Sequence, residues 1–524
     1  MNLRKNLLLA LSLPLLVSGI SSCGGVNGYN IEEVDNKGGS AFYEIFVGSF
    51  CDSNGDGVGD LNGIKSKLPY LKKLGVSGLW LTPIHPSPSY HHYDVMDYYA
   101  VSPDFGTLDD FSSLCSEAKS QGIDIILDMV FNHCSIKGTW YKNWLANLAN
   151  PDSQYYDNFS YSEEEKTGYF YEGELGGYVE GNFSSDMPEL NFDTPYVREE
   201  LKRIQDFWLE KGASGFRYDA VKYFYCTNSN GNIVGNTAKN VEVLTELAQA
   251  ARAKKADAYL VGECWVDSDA EIYNYASSGM NMFHFPTSGV SAVNSVGVMP
   301  MKSFRNFMDS VVSANTLLKE KNPNGDFACF ISNHDQDRWG NYFSGHSDPS
   351  GARKLMVSTY LLTPGTPFMY YGEEIEMLGA RKTTDKTDAM RRQAMVWGDE
   401  SITCKQPENF VFTPQTETTV ASAEADGYSM LNHYRKVLSV RNKYKDVFRK
   451  GTYEVLDFGD YRATGFKITY GNDVYYLVHN CNTTQVTLDV SGSSLLEDIP
   501  TSKTSAGFNS GKLTLSGYSS AFIK

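Results

Sequence analysis

Residues 214–223 read SGFRYDAVKY. The first eight are apolar, small or aromatic apart from Arg217 and Asp219, and the run ends in charge. An amphipathic stretch at 195–211 precedes it and another at 238–254 follows, which is the pattern of a strand set between helices. Seven more runs have this form: 41–50 (AFYEIFVGSF), 78–84 (GLWLTPI), 124–131 (DIILDMVF), 259–264 (YLVGEC), 279–285 (GMNMFHF), 327–333 (FACFISN) and 367–372 (PFMYYG). Helical patterns near 64–74, 107–121, 301–319 and 351–363 complete the alternation. Near-continuous apolar strands separated by helices indicate a parallel sheet covered on both faces. Eight such units point to a closed (β/α)8 barrel of the TIM type, although pattern alone also admits a doubly wound open sheet.

Two stretches break the rhythm. Residues 134–194, rich in Tyr, Gly, Asn and Glu, are too long for a structureless connection and read as an inserted domain. The barrel is then 41–133 with 195–447. Beyond a helical segment at 429–446 the period changes, and runs at 452–458, 462–470, 473–480 and 484–490 alternate or are β-rich. Residues 448–524 therefore read as a C-terminal antiparallel β-sandwich domain.

The N-terminus carries Arg4 and Lys5, then an apolar stretch from Leu7 to Val17, then Ile20-Ser-Ser-Cys23. This is an export signal, too short to span a membrane as a helix. Its ending resembles a bacterial lipobox, which implies a signal peptide over 1–22, lipidation of Cys23 and a membrane anchor at the cell surface or facing the periplasm. Ordinary secretion with a coincidental Cys is the alternative. Residues 23–40 read as a flexible tether. The eight other cysteines are scattered without metal-type spacing, and their pairing stays open.

The 524 residues carry a formal charge of −17, 41% hydrophobic and 13% aromatic residues. The negative balance disfavours nucleic acid and anionic lipid surfaces as partners and suits a neutral substrate. A monomer is expected.

Barrels place function at the C-terminal ends of their strands. Polar clusters fall there: Asp128-Met-Val-Phe-Asn132-His133 after strand three, Arg217-Tyr-Asp219 with Lys222 and Tyr223 after strand four, Glu263-Cys-Trp265 after strand five, Asn333-His334-Asp335 after strand seven, and His91-His92-Tyr93-Asp94 after strand two. Asp219 and Glu263 lie on adjacent strands, and retaining glycosidases need two carboxyls about 5–5.5 Å apart. Arg217, two residues before Asp219, shares its face and would keep it ionised. Glu263 would be held protonated by desolvation beside Trp265 and by neighbouring acids. Asp335 would grip ring hydroxyls, His133 and His334 would hydrogen-bond the sugar, and Tyr93 would stack on it.

The segments DMVFNH, GFRYDAVKY, GECW and FISNHD resemble the conserved regions of the α-amylase family of glycoside hydrolases, in the family's order. PELNFD (188–193) and TPGTPFMYYGEE (363–374) are similar to further family segments, and the resemblance covers residue 41 to the C-terminus. It implies Asp219 as nucleophile, Glu263 as acid/base and Asp335 as transition-state stabiliser. It puts Arg217, His91, Tyr93, Asp94, His133, Lys222, Tyr223 and His334 at substrate-binding positions. His92 stands where the family usually has Gly, and Tyr223 where it often has His. The implied reaction is endo-hydrolysis of α-1,4-glucans such as starch and glycogen. An α-glucosidase, a pullulan-cleaving enzyme or a transglycosylase of the same architecture is the alternative. Tyr90 stands where exo-acting relatives usually carry an Asp, which favours internal cleavage. A non-catalytic glucan-binding protein would leave the intact acid triad unexplained.

One more pattern concerns metal. Asp52, Asn54, Asp56, Val58 (through its carbonyl) and Asp60 present oxygen at every second position, with Gly57 after the third acidic or amide residue. Such a loop wraps a hard cation, Ca2+ above all, although an acidic Gly-rich turn without an ion has the same composition. The twelfth position is Gly63, so this is no EF-hand. The resemblance also implies Ca2+ here, since related enzymes carry such a loop after strand one. A second metal site using Asn132 is a further expectation.

Overall fold

The eight strand-like runs curl into one parallel sheet. The computed structural model describes residues 28–38, 41–289, 302–343, 347–381, 388–407 and 418–524. Seven runs contain strands, Phe42–Ile45, Gly78–Leu81, Asp124–Met129, Gly215–Tyr218, Tyr259–Gly262, Asn281–Met282 and Phe368–Tyr370, each parallel to its neighbours. The seventh run forms no ladder of its own but bridges the gap. Ala328 pairs with Phe283, His284 N–H donates to Ala328 O (3.0 Å), and Phe368 N–H donates to Cys329 O (2.8 Å). The barrel is closed. Gly365 makes the last approach feasible: its φ is +77°, and a Cβ there would lie 2.2 Å from Phe327 O.

The strands are shorter than the apolar runs that contain them, because the chain stays buried after leaving the sheet, as at the Val47–Ser49 turn. Alternation along each strand sorts its side chains. Phe42, Trp80, Ile126, Val261, Phe283, Phe330 and Phe368 form the inner core. Tyr43, Leu79, Ile125 and Leu127 join a separate, larger cluster with the surrounding helices. Two positions on from Phe42 and Ile126, on the same inner face, come Glu44 and Asp128, both buried. The inner face thus changes from apolar to charged at its C-terminal end.

Helices Leu61–Ser66, Leu68–Leu74, Leu108–Ser120, Pro195–Glu210, Thr237–Lys254, Lys302–Lys321 and Pro349–Leu361 match the amphipathic stretches. A helix at Asp269–Ala276 and a hairpin, Cys226–Ser229 with Asn232–Gly235, add elements that the hydrophobic period does not announce. The insertion leaves the barrel at His133 and returns at Glu189, which pair with each other, and it holds a three-stranded antiparallel sheet. After the helix Met430–Lys443, a five-stranded and a three-stranded antiparallel sheet face each other across a core that includes Val478, Ala521, Leu488 and Leu513.

The expectation of a flexible tether fails for residues 28–38. Tyr29 is buried, its ring 5.2 Å from Tyr428 and 5.4 Å from His433, and Asn36 donates to Val76 O (2.5 Å). An aromatic ring and a long-range hydrogen bond pin this strap to the barrel. The signal peptide and Cys23 lie outside the described residues. All eight cysteines among the described residues are free thiols, and no helix there is long and apolar enough to cross a membrane.

Candidate active site

Parallel strands deliver their C-terminal ends to one side of the barrel. Asp219 and Glu263 are the first residues beyond the strands Gly215–Tyr218 and Tyr259–Gly262. These strands are in register, Tyr218 opposite Gly262, so the two acids emerge side by side, on strands about 4.8 Å apart. Glu263 N–H donates to Tyr218 O (2.9 Å) and Val221 N–H to Glu263 O (3.1 Å), locking the two exits together. Between them the chain turns through Ala220, whose φ is +48° and whose N–H donates to Glu263 Oε2 (3.0 Å).

Arg217 lies beneath both. Only 1% exposed, its guanidinium reaches Asp219 Oδ1 (2.6 Å), Asp128 Oδ1 (2.8 Å) and Glu263 Oε2 (3.2 Å). The other Asp128 oxygen accepts from Tyr93 (2.9 Å) and Trp80 (3.2 Å). One cation therefore serves three buried acids, and the electrostatics divide accordingly. Burial, joined by repulsion from Asp219 and Asp335, outweighs the pull of Arg217 and pushes the Glu263 carboxyl up to about 8. Glu263 is a protonated acid at neutral pH.

Asp335 is treated in the opposite way. Burial works to raise its carboxyl, but His334 (3.0 Å) and Arg392 (2.8 Å) prevail and hold it well below the usual range. His334 is itself fully buried. Burial favours its neutral ring, yet Asp335 and Glu44 (Nδ1 to Oε1, 2.5 Å) overcome this and raise it to about 10, making it an imidazolium.

These groups border an open cleft of about 1000 Å3, lined by Asp219, Glu263, Asp335, His91, Tyr93, His133, Lys222 and Tyr223 among others. Three residues expected at the substrate lie elsewhere. Arg217 and His334 sit below the cleft, because their alternate positions point to the barrel axis, and they act on the acids instead. Asp94 is buried and taken up by the hydroxyls of Ser87 and Ser89. His92 has φ +63°, the left-handed conformation that suits Gly at this position, and its Nδ1 is bonded to His85 O (2.8 Å). Trp265, expected against Glu263, has its ring stacked on Phe285.

Two residues without a motif prove central. Glu44 on the first strand orients His334. Arg392 is 5% exposed, donates to His334 O (3.0 Å) and Tyr90 Oη (3.0 Å), and pairs with Asp335. A Glu inside an apolar strand is the signal for the former. Nothing local marks the latter.

The oxygen-rich loop is wound by successive side-chain-to-amide bonds. Asp52 accepts from Asn54, Gly55 and Gly57 N–H, Asn54 from Asp56 N–H, and Asp56 from Val58 N–H. Asp60 accepts from Ser53 and caps the helix at Gly63. The Lys405 ammonium binds the Asp56 carbonyl (2.7 Å) rather than a carboxylate, leaving the acids without that counter-ion. The donor set suits a hard cation. A second group, Glu180, Glu189 and Cys226, brings its ligand atoms within 4.8 Å of one another, beside the buried and unpartnered Asn132 Oδ1. Asn182 Nδ2 donates to both glutamates, and burial with repulsion from Glu180 raises Glu189 to about 8.

The family model of the α-amylase catalytic domain matches residues 44–451. The chain belongs to the α-amylase family. Within it, the chain is similar to α-amylase 3 of Dictyoglomus thermophilum, 36% identical over 95% of both chains. It is also similar to a glucan 1,6-α-glucosidase of Streptococcus pneumoniae, 29% identical over 86% of this chain and 92% of that one. Among solved structures, Amy13B of Eubacterium rectale superposes with a TM-score of 0.85 at 32% identity, covering 94% of this chain and 96% of that one. The protein is thus a glycoside hydrolase of this family built on a TIM barrel.

Removing Arg217 leaves buried acids unpaired, so Arg217→Ala is expected to cost about 3–5 kcal/mol of stability, read as a fall in Tm. Adding Asp128→Asn to Arg217→Ala recovers part of that loss. Equal melting of Arg217→Ala and wild type would refute the electrostatic account.

Proposed function

We propose that this enzyme hydrolyses internal α-1,4 bonds of starch-like glucans with retention of configuration. The observation carrying this reading is the asymmetry between two neighbouring acids that share Arg217. Glu263 is held protonated and Asp219 is ion-paired at 2.6 Å. In the first step Glu263 gives its proton to the glycosidic oxygen as an Asp219 oxygen attacks the anomeric carbon, forming a glycosyl ester. In the second, the Glu263 carboxylate takes a proton from water, whose oxygen displaces Asp219 from that carbon. Asp335, kept anionic by His334 and Arg392, binds ring hydroxyls and favours the charge that develops on the sugar.

Endo action is supported by Tyr90, whose hydroxyl takes a hydrogen bond from Arg392 at the position where an acidic residue would grip a chain end. Similarity to an α-amylase along 95% of the chain supports it too. With soluble starch, viscosity is expected to collapse before glucose appears, and Asp219→Asn is expected to be inert. Glucose as the sole early product would instead mean exo action on chain ends. Glu263→Gln is expected to lower kcat by about 10²–10⁴-fold on starch. Because the acid must be protonated, wild-type kcat falls as pH rises through about 8; a rate that stays flat to pH 10 would contradict the assignment.

We also propose a Ca2+ ion held by Asp52, Asn54, Asp56, Asp60 and the Val58 carbonyl. Its role would be structural, fixing the loop after the first strand. A strong chelator should lower the melting temperature of wild type, and Asp52→Ala should abolish that response. A melt indifferent to chelator would count against the ion.

A further inference from the structure

Two large aromatic rings stand exposed on the cleft, and the reaction above uses neither. Trp265 is 43% and Phe183 47% exposed, and both line the cleft. Neither ring hangs free. Trp265 stacks on Phe285 (centroids 4.8 Å, planes 16° apart), and Phe285 meets Phe330 edge-on at 5.1 Å. Phe183 packs against Tyr223 at 4.6 Å and His133 at 5.1 Å. The loop carrying Phe285 is pinned by His284, whose Nδ1 meets Thr287 Oγ1 (2.7 Å) and whose Nε2 meets Asp269 (2.9 Å). Lys222 donates to the Trp265 carbonyl (3.1 Å) and fixes the other side. Rigid, wet aromatic faces backed by buried rings are stacking platforms for flat apolar surfaces, such as the C–H faces of sugars.

Their placement is one-sided. These rings come from the chain after the third, fourth, fifth and sixth strands, and Trp265 stands two residues beyond Glu263. The ionic cluster of Asp335, Arg392 and His91 comes from the loops after the second, seventh and eighth. Glu263 protonates the departing oxygen, so the departing chain leaves on the aromatic side.

We propose that Phe183 and Trp265 form a binding site for the leaving segment of the glucan, and that the vacated site takes up a second α-glucan chain as acceptor. The enzyme is then a transglycosylase as well as a hydrolase. This rests on the roles assigned to Asp219 and Glu263 above. In the transfer step an acceptor hydroxyl oxygen forms a bond to the anomeric carbon. The bond from that carbon to Asp219 breaks, its electron pair returning to the carboxylate, and the hydroxyl proton passes to Glu263. Water gives hydrolysis by the same path, so the two outcomes compete for one intermediate.

The test follows the purified enzyme on an aryl α-maltoside with maltotriose as acceptor, and measures the ratio of transfer product to hydrolysis product. That ratio is set after the intermediate forms, so slower bond cleavage or a smaller folded fraction does not move it. The wild-type ratio is expected to rise with acceptor concentration, and Phe183→Ala and Trp265→Ala each to lower it about fivefold, with Trp265→Phe recovering most of the loss. A ratio unchanged in both alanine variants, or aryl release without transfer product at any maltotriose concentration, would overturn the inference alone. Absence of aryl release from the wild type would overturn the proposed hydrolase function, and this inference with it.

Discussion

The site depends on one buried guanidinium. Arg217 touches Asp128, Asp219 and Glu263 while being almost wholly shielded from water. Burying an isolated charge is prohibitive, and burying three acids around one cation leaves a deficit of positive charge. The deficit settles on the group with the weakest claim. Asp128 takes the in-line contact and two neutral donors, Asp219 the shortest contact, and Glu263 the longest at 3.2 Å, together with a proton. The division of labour between two carboxyls on neighbouring strands follows from this competition. Arg217 also lies under aromatic rings, 5.0 Å from Trp80 and 6.0 Å from Tyr93, which confine its planar fork.

A second cation handles the third acid. His334 becomes charged because Glu44 on one side and Asp335 on the other outweigh its burial. Glu44, His334, Asp335 and Arg392 form a chain across the seam where the first, seventh and eighth barrel segments meet. This seam lacks an extended ladder at the seventh segment, and its charged chain ties the same segments together above the hydrogen bonds that close the barrel.

Much of this was legible in the sequence, for identifiable reasons. Strand and helix order follows hydrophobic period, which the barrel preserves. Strand ends do not, since Phe46, Val47 and Phe50 remain buried after the first strand has ended. The hairpin at 226–235 turns on Asn230-Gly231, both with positive φ, a local signal masked by its polar strands. At the site, Asp219, Glu263 and Asp335 could be named because strand ends concentrate chemistry. Whether a neighbour meets the cleft or lies beneath it depends on the axis-facing alternation, which placed Arg217 and His334 below. Asp94 was lost to two nearby serines, and the pinned strap at 28–38 to long-range contacts of Tyr29 and Asn36. Arg392 reaches the site from beyond the eighth strand, a distance no spacing rule spans.

The central claim is that Asp219 forms a covalent bond to the sugar while Glu263 manages protons. It is tested most directly in Glu263→Gln with α-maltosyl fluoride, whose leaving group needs no proton. The glycosyl ester should form and then persist without a base to activate water. Mass spectrometry of the digested protein is expected to find a maltosyl group on Asp219. Turnover of the fluoride with Asp219 unmodified and inverted product, or a maltosyl group on another residue, would contradict the account.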